Sequence, residues 1–201
     1  MSQIKLLHSG GNGVIISAPD SNPASDRTLK LPSDVNSTID TLNRAGNILQ
    51  VVSVTKTDTF STASTSQVDI TGYSVDITPS SSSNKILISG TLMAGLSTTI
   101  AYGMRFYLMR DSTAICIGDT AGNRSRCTFG TQGVYNTDTT HPFSFEFLDS
   151  PSTTSTVTYK IQVQSESPMT IYINRSAGET DGDSAITPRF TSTISVKEVA
   201  A

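Results

Sequence analysis

The sequence predicts an all-β chain whose antiparallel strands pack as a two-layer sandwich. Three observations carry this. Apolar residues recur at every second position in one segment after another, the period of a strand with one buried face. These segments are short and are separated by clusters of Ser, Thr, Asn, Gly and Pro. Hydrophobic residues make up 36% and charged residues 15% of the 201 residues, with Ser and Thr filling the gap. That mixture suits half-buried strands joined by exposed polar loops. The net charge of −3 and the patterned apolar groups are not a disorder composition.

The clearest stretch runs from Pro142 to Gln164. Phe143, Phe145 and Phe147 alternate with Ser144 and Glu146, and Val157, Tyr159, Ile161 and Val163 alternate with Thr158, Lys160 and Gln162. Asp149 to Ser155 between them is a run of turn formers. Two such arms joined by a polar loop predict an antiparallel hairpin with one wet face. Glu146 and Lys160 fall on that face and could lie opposite each other, an exposed pair contributing about 0–1 kcal/mol.

The other strands follow in order. Ile48 to Thr57 is the first of the main domain. Gln67–Ile70 and Ser74–Thr78 alternate strictly as two pieces, and Pro79–Asn84 is a polar loop. Lys85–Met93 is more continuously apolar, which predicts a central strand. Ala101–Arg110 and Thr113–Ile117 come next. Gly118–Thr140 reads as a long excursion rich in Gly, Asn, Thr and Arg. After the Phe143–Val163 arms, Thr170–Asn174 is a strand, Ala177–Pro188 a loop, and Phe190–Val199 the last strand. The total is about nine or ten strands, the pattern of a sandwich.

Residues 1–45 differ. Val14-Ile15-Ile16 and Thr28-Leu29-Lys30-Leu31 are short strand-like pieces around a loop punctuated by Pro19 and Pro23. So few apolar residues cannot offset chain entropy alone, so this arm should order only against its own copies or a partner. Ser37 to Ala45 has the cap and stop signals for one or two helical turns, a linker into the domain spanning 46–201.

Several function classes are excluded by what the chain lacks. Lys5, Lys30, Lys56 and Lys85 are scattered, so there is no basic footprint for nucleic acid. No apolar run approaches 18 residues, so no membrane span is expected. The first ten residues have too short an apolar core for a secretion signal, which places the protein in a cytosol unless it leaves inside a larger assembly. Cys116 and Cys127 can be read as reduced, buried thiols or as a disulfide, and neither forms a zinc-type pair.

A family resemblance enters on particular segments. Ser192–Val199, preceded by Tyr172–Ser176 and by Phe145–Pro151 with Tyr159, resembles the terminal strands of small phage-fibre domains of the C1q/TNF-like jelly-roll type. Ile117–Arg124 resembles a loop of the same group. Asp26–Pro32 after Ala18-Pro19 resembles the leading segments of virion-surface proteins of marine bacteriophages, and Gly46–Val52 the junction into their globular part. The resemblance implies an antiparallel jelly-roll β-sandwich with an extended N-terminal arm, a homotrimer and a structural role in a virion. It also implies localisation on the virion surface after assembly in a bacterial host's cytoplasm.

On this reading residues 1–45 dock to other virion proteins of the capsid or tail, through Ile4, Leu6, Leu7, Val14, Ile15, Ile16, Arg27, Leu29 and Leu31. Trimers of sandwiches pack side by side through aromatics, for which Tyr102, Phe106, Tyr159 and Tyr172 are candidates. The alternative is that each fills its own subunit's core. Asp119, Asn123, Arg124, Arg126, Asp181 and Asp183 lie on loops that could touch a host surface glycan or protein. A fibre or knob is the first expectation. A capsid decoration protein that cements the head shell is the alternative, and a glycan-cleaving spike is a third.

Enzymatic chemistry finds little support in the sequence. His141 could be drawn with Cys116 or Ser144, but no nucleophile elbow surrounds either. Asp111, Asp119, Glu146 and Asp149 are the carboxylates a glycosidase would need to pair, and none sits in a telling context. No enzyme activity and no cofactor are expected. Glu179, Asp181 and Asp183 form the one acidic cluster. It is either a solvated turn or a Ca²⁺ loop, and it matches no EF-hand spacing.

Overall fold

The computed structural model describes residues 3–7, 10, 13–17, 44–97, 103–132, 136–178 and 187–201. The chain divides into two units, Met1–Ile39 and Asp40–Ala201. In the first, β1 (Gln3–Leu7) and β2 (Gly13–Ser17) form an antiparallel two-stranded sheet. Its register sets Ile4 against Ile16 and Leu6 against Val14. The strand expected at Thr28–Leu31 lies outside the described residues, as do Arg27, Leu29 and Leu31. Of the expected linker helix only the end is described. There the Asn47 N–H donates to the Arg44 carbonyl at 3.0 Å, and Gly46 takes the left-handed conformation (φ 87) that closes such a turn.

The second unit is an antiparallel β-sandwich of jelly-roll type, all-β among the described residues. Its front sheet contains β3 (Ile48–Lys56), β4 (Phe60–Thr62), β6 (Lys85–Leu96), β10 (Thr140–Asp149), β12 (Ile171–Ile173) and β13 (Ser192–Val199). The back sheet contains β5 (Val68–Ile77), β7 (Gly103–Arg110), β8 (Thr113–Ile115), β9 (Phe129–Gln132) and β11 (Val157–Ser165). β6 is central as expected: β13 and β12 lie end to end along one edge and β10 along the other.

The structure corrects the reading of Pro142–Gln164. The two arms do not pair. β10 pairs with β6 in the front sheet, and β11 lies between β5 and β7 in the back sheet. The 150–156 segment therefore crosses between layers. Both arms bury their apolar faces in one core from opposite sides, and alternation reports the buried face, not the neighbour. Glu146 consequently stands opposite Ser89, while Lys160 donates to Asp69 at 2.8 Å on the back sheet.

Two further differences have local causes. Gln67–Ile70 and Ser74–Thr78 are one strand, β5, interrupted by a bulge where Lys160 pairs with Ser74 but Gln162 with Asp69. Gly72 (φ 76) supplies the positive φ, so Ile70 and Tyr73 both face inward although three positions apart. Within the supposed excursion after Gly118, Phe129–Gln132 forms β9 against β7.

The core is built from both layers: Ile86, Ile88, Leu92, Leu96, Ile194 and Val196 from the front, and Tyr73, Val75, Phe106, Leu108, Tyr159 and Ile161 from the back. Tyr73 spans the layers, its hydroxyl 2.9 Å from the Thr91 carbonyl and 3.0 Å from that of Thr193. Burial pushes the Tyr73 phenol far up, so it stays a donor. At the β9/β10 side, Phe129 stacks between Phe106 and the pair Phe143 and Phe145, with centroids 5.2–5.5 Å apart. The Phe145 ring occupies the space a Cβ on Gly90 would need, at 2.6 Å.

Candidate functional site: a polar groove on the back sheet

Alternation along β7 sends Met104, Phe106 and Leu108 into the core and leaves Gly103 and Arg105 on the outer face. β9 sets Gln132 opposite Gly103 and Gly130 opposite Arg105, so these four share that face. The two glycines have a structural cause: a Cβ on Gly103 would lie 2.6 Å from the Thr131 carbonyl oxygen, and one on Gly130 2.5 Å from that of Met104. The result is strand backbone left open at Gly130, while Gly103 is buried beneath the Glu166 and Gln132 side chains.

Walls rise around this strip. Glu166, just past β11, accepts from the Gly103 N–H at 2.9 Å through Oε2 and from Arg105 at 2.7 Å through Oε1. Its own N–H donates to the Gly103 carbonyl at 3.0 Å. Both oxygens are thus occupied in holding Arg105 and the start of β7. The opposite wall is the 117–127 loop. Its tip turns at Ala121–Arg124, where the Arg124 N–H donates to the Ala121 carbonyl at 3.2 Å and Gly122 takes φ 56. Arg126 braces the loop, its Nε–H donating to the Gly118 carbonyl at 2.6 Å.

Between the walls lies a cavity of about 480 Å³ lined by Arg105, Asn123, Arg124, Ser125, Gln132 and Glu166. It adjoins a smaller one of about 280 Å³ over Gly103, Gly130 and Cys127. Two guanidiniums against one carboxylate leave the groove positive in a chain that is negative overall. Of the loop residues expected to face outward, Asn123 and Arg124 line this groove, Asp119 and Arg126 are exposed beside it, and Asp181 and Asp183 lie outside the described residues. Arg105, Gln132 and Glu166 escaped the sequence reading. Alternation could have placed Arg105 outside, but only the returning loop makes it part of a cavity.

The other expected residues sort as follows. Phe106 and Tyr159 are wholly buried in their own core, which corrects their reading as contacts between subunits: their alternation partners are core residues. The Tyr159 hydroxyl donates to Asp149 at 2.7 Å, and burial together with that carboxylate pushes its phenol well up. Tyr172 is half-buried beneath the Arg175 guanidinium, 4.2 Å from its ring centroid. Tyr102 and the cluster Glu179, Asp181 and Asp183 lie outside the described residues.

Cys116 and Cys127 are free thiols, exposed and half-buried respectively rather than fully buried. Local burial pushes both upward, with Arg105 partly opposing this at Cys127, so neither is an activated thiolate. His141 and Ser144 point to opposite faces of β10, and the His141 Nε2 is buried without a hydrogen-bond partner among the described residues. Asp149 is held 3.0 Å from Arg110, and Asp111 accepts from the Thr158 N–H at 2.9 Å.

No protein-family model and no curated protein sequence matches the chain. Among solved structures it is similar to that of the infectious bursal disease virus Gx strain, with 17% identity and a TM-score of 0.35 over 88% of this chain and 42% of that one. It is also similar to the infectious bursal disease virus VP2 subviral particle, with 18% identity and a TM-score of 0.34 over 95% and 48%. The chain spans less than half the length of these chains. At these scores neither neighbour bears on what this chain does.

Proposed function

We propose that the chain is a structural protein of a bacteriophage particle, a homotrimeric fibre or knob that residues 1–45 attach to other virion proteins. The observation that carries this is the β1–β2 ribbon, a two-stranded sheet within the first unit. Two five-residue strands are marginal alone in water, so such a ribbon calls for a surface to dock on.

The outer face of the front sheet supports self-assembly. Register sets Ser53, Ser195, Ser89 and Glu146 in one row and Thr55, Thr193, Thr91 and Ser144 in the next. A third row is Val51, Lys197, Leu87 and Leu148, in which Val51 is 58% and Leu148 47% exposed. With Ile48, these are the exposed large hydrophobics among the described residues, and all belong to this sheet. A face poor in charge with apolar margins suits copies of itself. It takes over the role expected of Phe106 and Tyr159.

Light scattering on the intact protein should give three times the monomer mass, and Val51→Glu with Leu148→Glu should reduce it to one. A monomeric wild type at micromolar concentration overturns the trimer. Deleting residues 1–45 should leave a folded domain that no longer joins particles, and normal incorporation of that form overturns the anchoring role. Copies per particle decide the location: many tens mean head decoration, a few trimers mean the tail.

A further inference from the structure

We propose that the groove between β7, β9 and the 117–127 loop binds a carboxylate-bearing saccharide. This goes beyond the reading above, and the described lining of the groove belongs to one subunit.

The chemistry of the lining selects the ligand class. Asn123, Ser125 and Gln132 offer both donors and acceptors, the complement of sugar hydroxyls. Arg124 has no hydrogen-bond or ion-pair partner for its guanidinium among the described residues, so its planar fork is available to a carboxylate in the two-bond geometry that lysine cannot match. Arg105 is held by Glu166 and adds a second, fixed positive charge beside it. The exposed backbone at Gly130, where the strand carries no side chain, lets a flat ring approach. The volume of about 480 Å³ lies within the range of small-ligand pockets. An acidic peptide would meet the same arginines, but it lacks the hydroxyls that Asn123, Ser125 and Gln132 would pair.

The test is calorimetric titration of the full-length protein with oligogalacturonate, with the same oligosaccharide fully methyl-esterified, and with an oligoglutamate peptide. The acid form should bind, and the ester and the peptide should bind at least about tenfold more weakly, the factor that the loss of roughly 1.4 kcal/mol produces. Arg124→Ala should weaken the acid about tenfold and Arg124→Lys less, with melting temperature unchanged because Arg124 is exposed on a loop. Lys85→Ala should leave binding as it is. No uptake of the acid form, equal binding of acid and ester, equal binding of the peptide, or an Arg124→Ala variant that binds like wild type would each overturn the proposal. Light scattering on the same samples separates the two readings: sugar binding by a monomer rejects only the assembly, and a trimer that ignores the acid rejects only the groove.

Discussion

Glu198 offers the sharpest test of how this sandwich holds together. It lies on the inward face of β13 and is 1% exposed, and its partners among the described residues are neutral donors. Its carboxylate accepts from the Ser80 N–H at 2.7 Å, the Ser80 hydroxyl at 2.8 Å, the Asn84 amide at 2.7 Å and the Gln50 amide at 2.6 Å. It thereby pins the 78–84 loop and β3 to β13. Glu198→Ala strands these donors. Gln50 keeps its bond to the Thr78 carbonyl and Asn84 its bond to the Ser80 hydroxyl, which limits the loss. At about 1–3 kcal/mol for each stranded group, the substitution should cost about 3–5 kcal/mol. For a domain of this size that lowers the melting temperature by roughly 10 °C.

Glu198→Gln keeps the shape and should cost only about 1–2 kcal/mol. Burial pushes the Glu198 carboxyl up, but the Asn84, Gln50 and Ser80 donors outweigh it and leave the group below its ordinary value of 4.5. A depressed carboxylate stabilises the fold above its unfolded value and loses that contribution as pH falls through its folded one. The gap between wild type and Glu198→Gln should therefore be complete at pH 7 and shrink below about pH 4.5. Thermal unfolding followed by circular dichroism across that range is the assay. An alanine variant melting within about 2 °C of wild type, or a glutamine gap constant down to pH 3, would refute the reasoning.

Further outcomes follow from the packing. Gly90→Ala sets a methyl 2.6 Å from the Phe145 ring and 2.7 Å from the Thr193 carbonyl oxygen. Because backbone cannot yield like a side-chain tip, chemical denaturation should show a loss of about 1–3 kcal/mol. Gly72→Ala meets nothing closer than the Lys56 ammonium at 3.7 Å, so its cost of about 1–2 kcal/mol comes from the positive φ alone. Gly72→Asn, which tolerates that conformation better, should recover part of it in the same titration. Asp149→Ala leaves Arg110 and the buried Tyr159 hydroxyl without their shared acceptor and should cost about 3–5 kcal/mol, whereas Asp149→Asn, which keeps an acceptor for Tyr159, should cost less.

Much of the architecture was legible because a half-buried strand writes its inner face into every second residue. β11 and β13 show this along their whole lengths, and the more continuously apolar stretch of β6 correctly marked the middle of a sheet. Pairing was not legible, since Phe143–Phe147 and Val157–Val163 obey the same alternation whether adjacent or across the core. β9 was hidden because one glycine and two polar residues accompany Phe129, and its stacking partners Phe143 and Phe145 come from another sheet. Glu198 did leave a signal: it continues the inward series Ile194, Val196, where a carboxylate must find donors. Part of the groove, Asn123 and Arg124, could be picked out as loop residues, while Arg105, Gln132 and Glu166 converge only through the fold.

β13 is the last of the thirteen strands in the described chain, yet it lies between β3 and β6 rather than at a margin. On a ribosome, β3 and β6 must therefore emerge and wait with open edges until β13 has left the exit tunnel. Until then the nascent chain presents a gap shaped for a β-strand, and any extended segment from a neighbouring polysome competes for it. Abundant synthesis of this protein thus carries a hazard of strand exchange, which is countered by how quickly β13 follows β12 into the sheet.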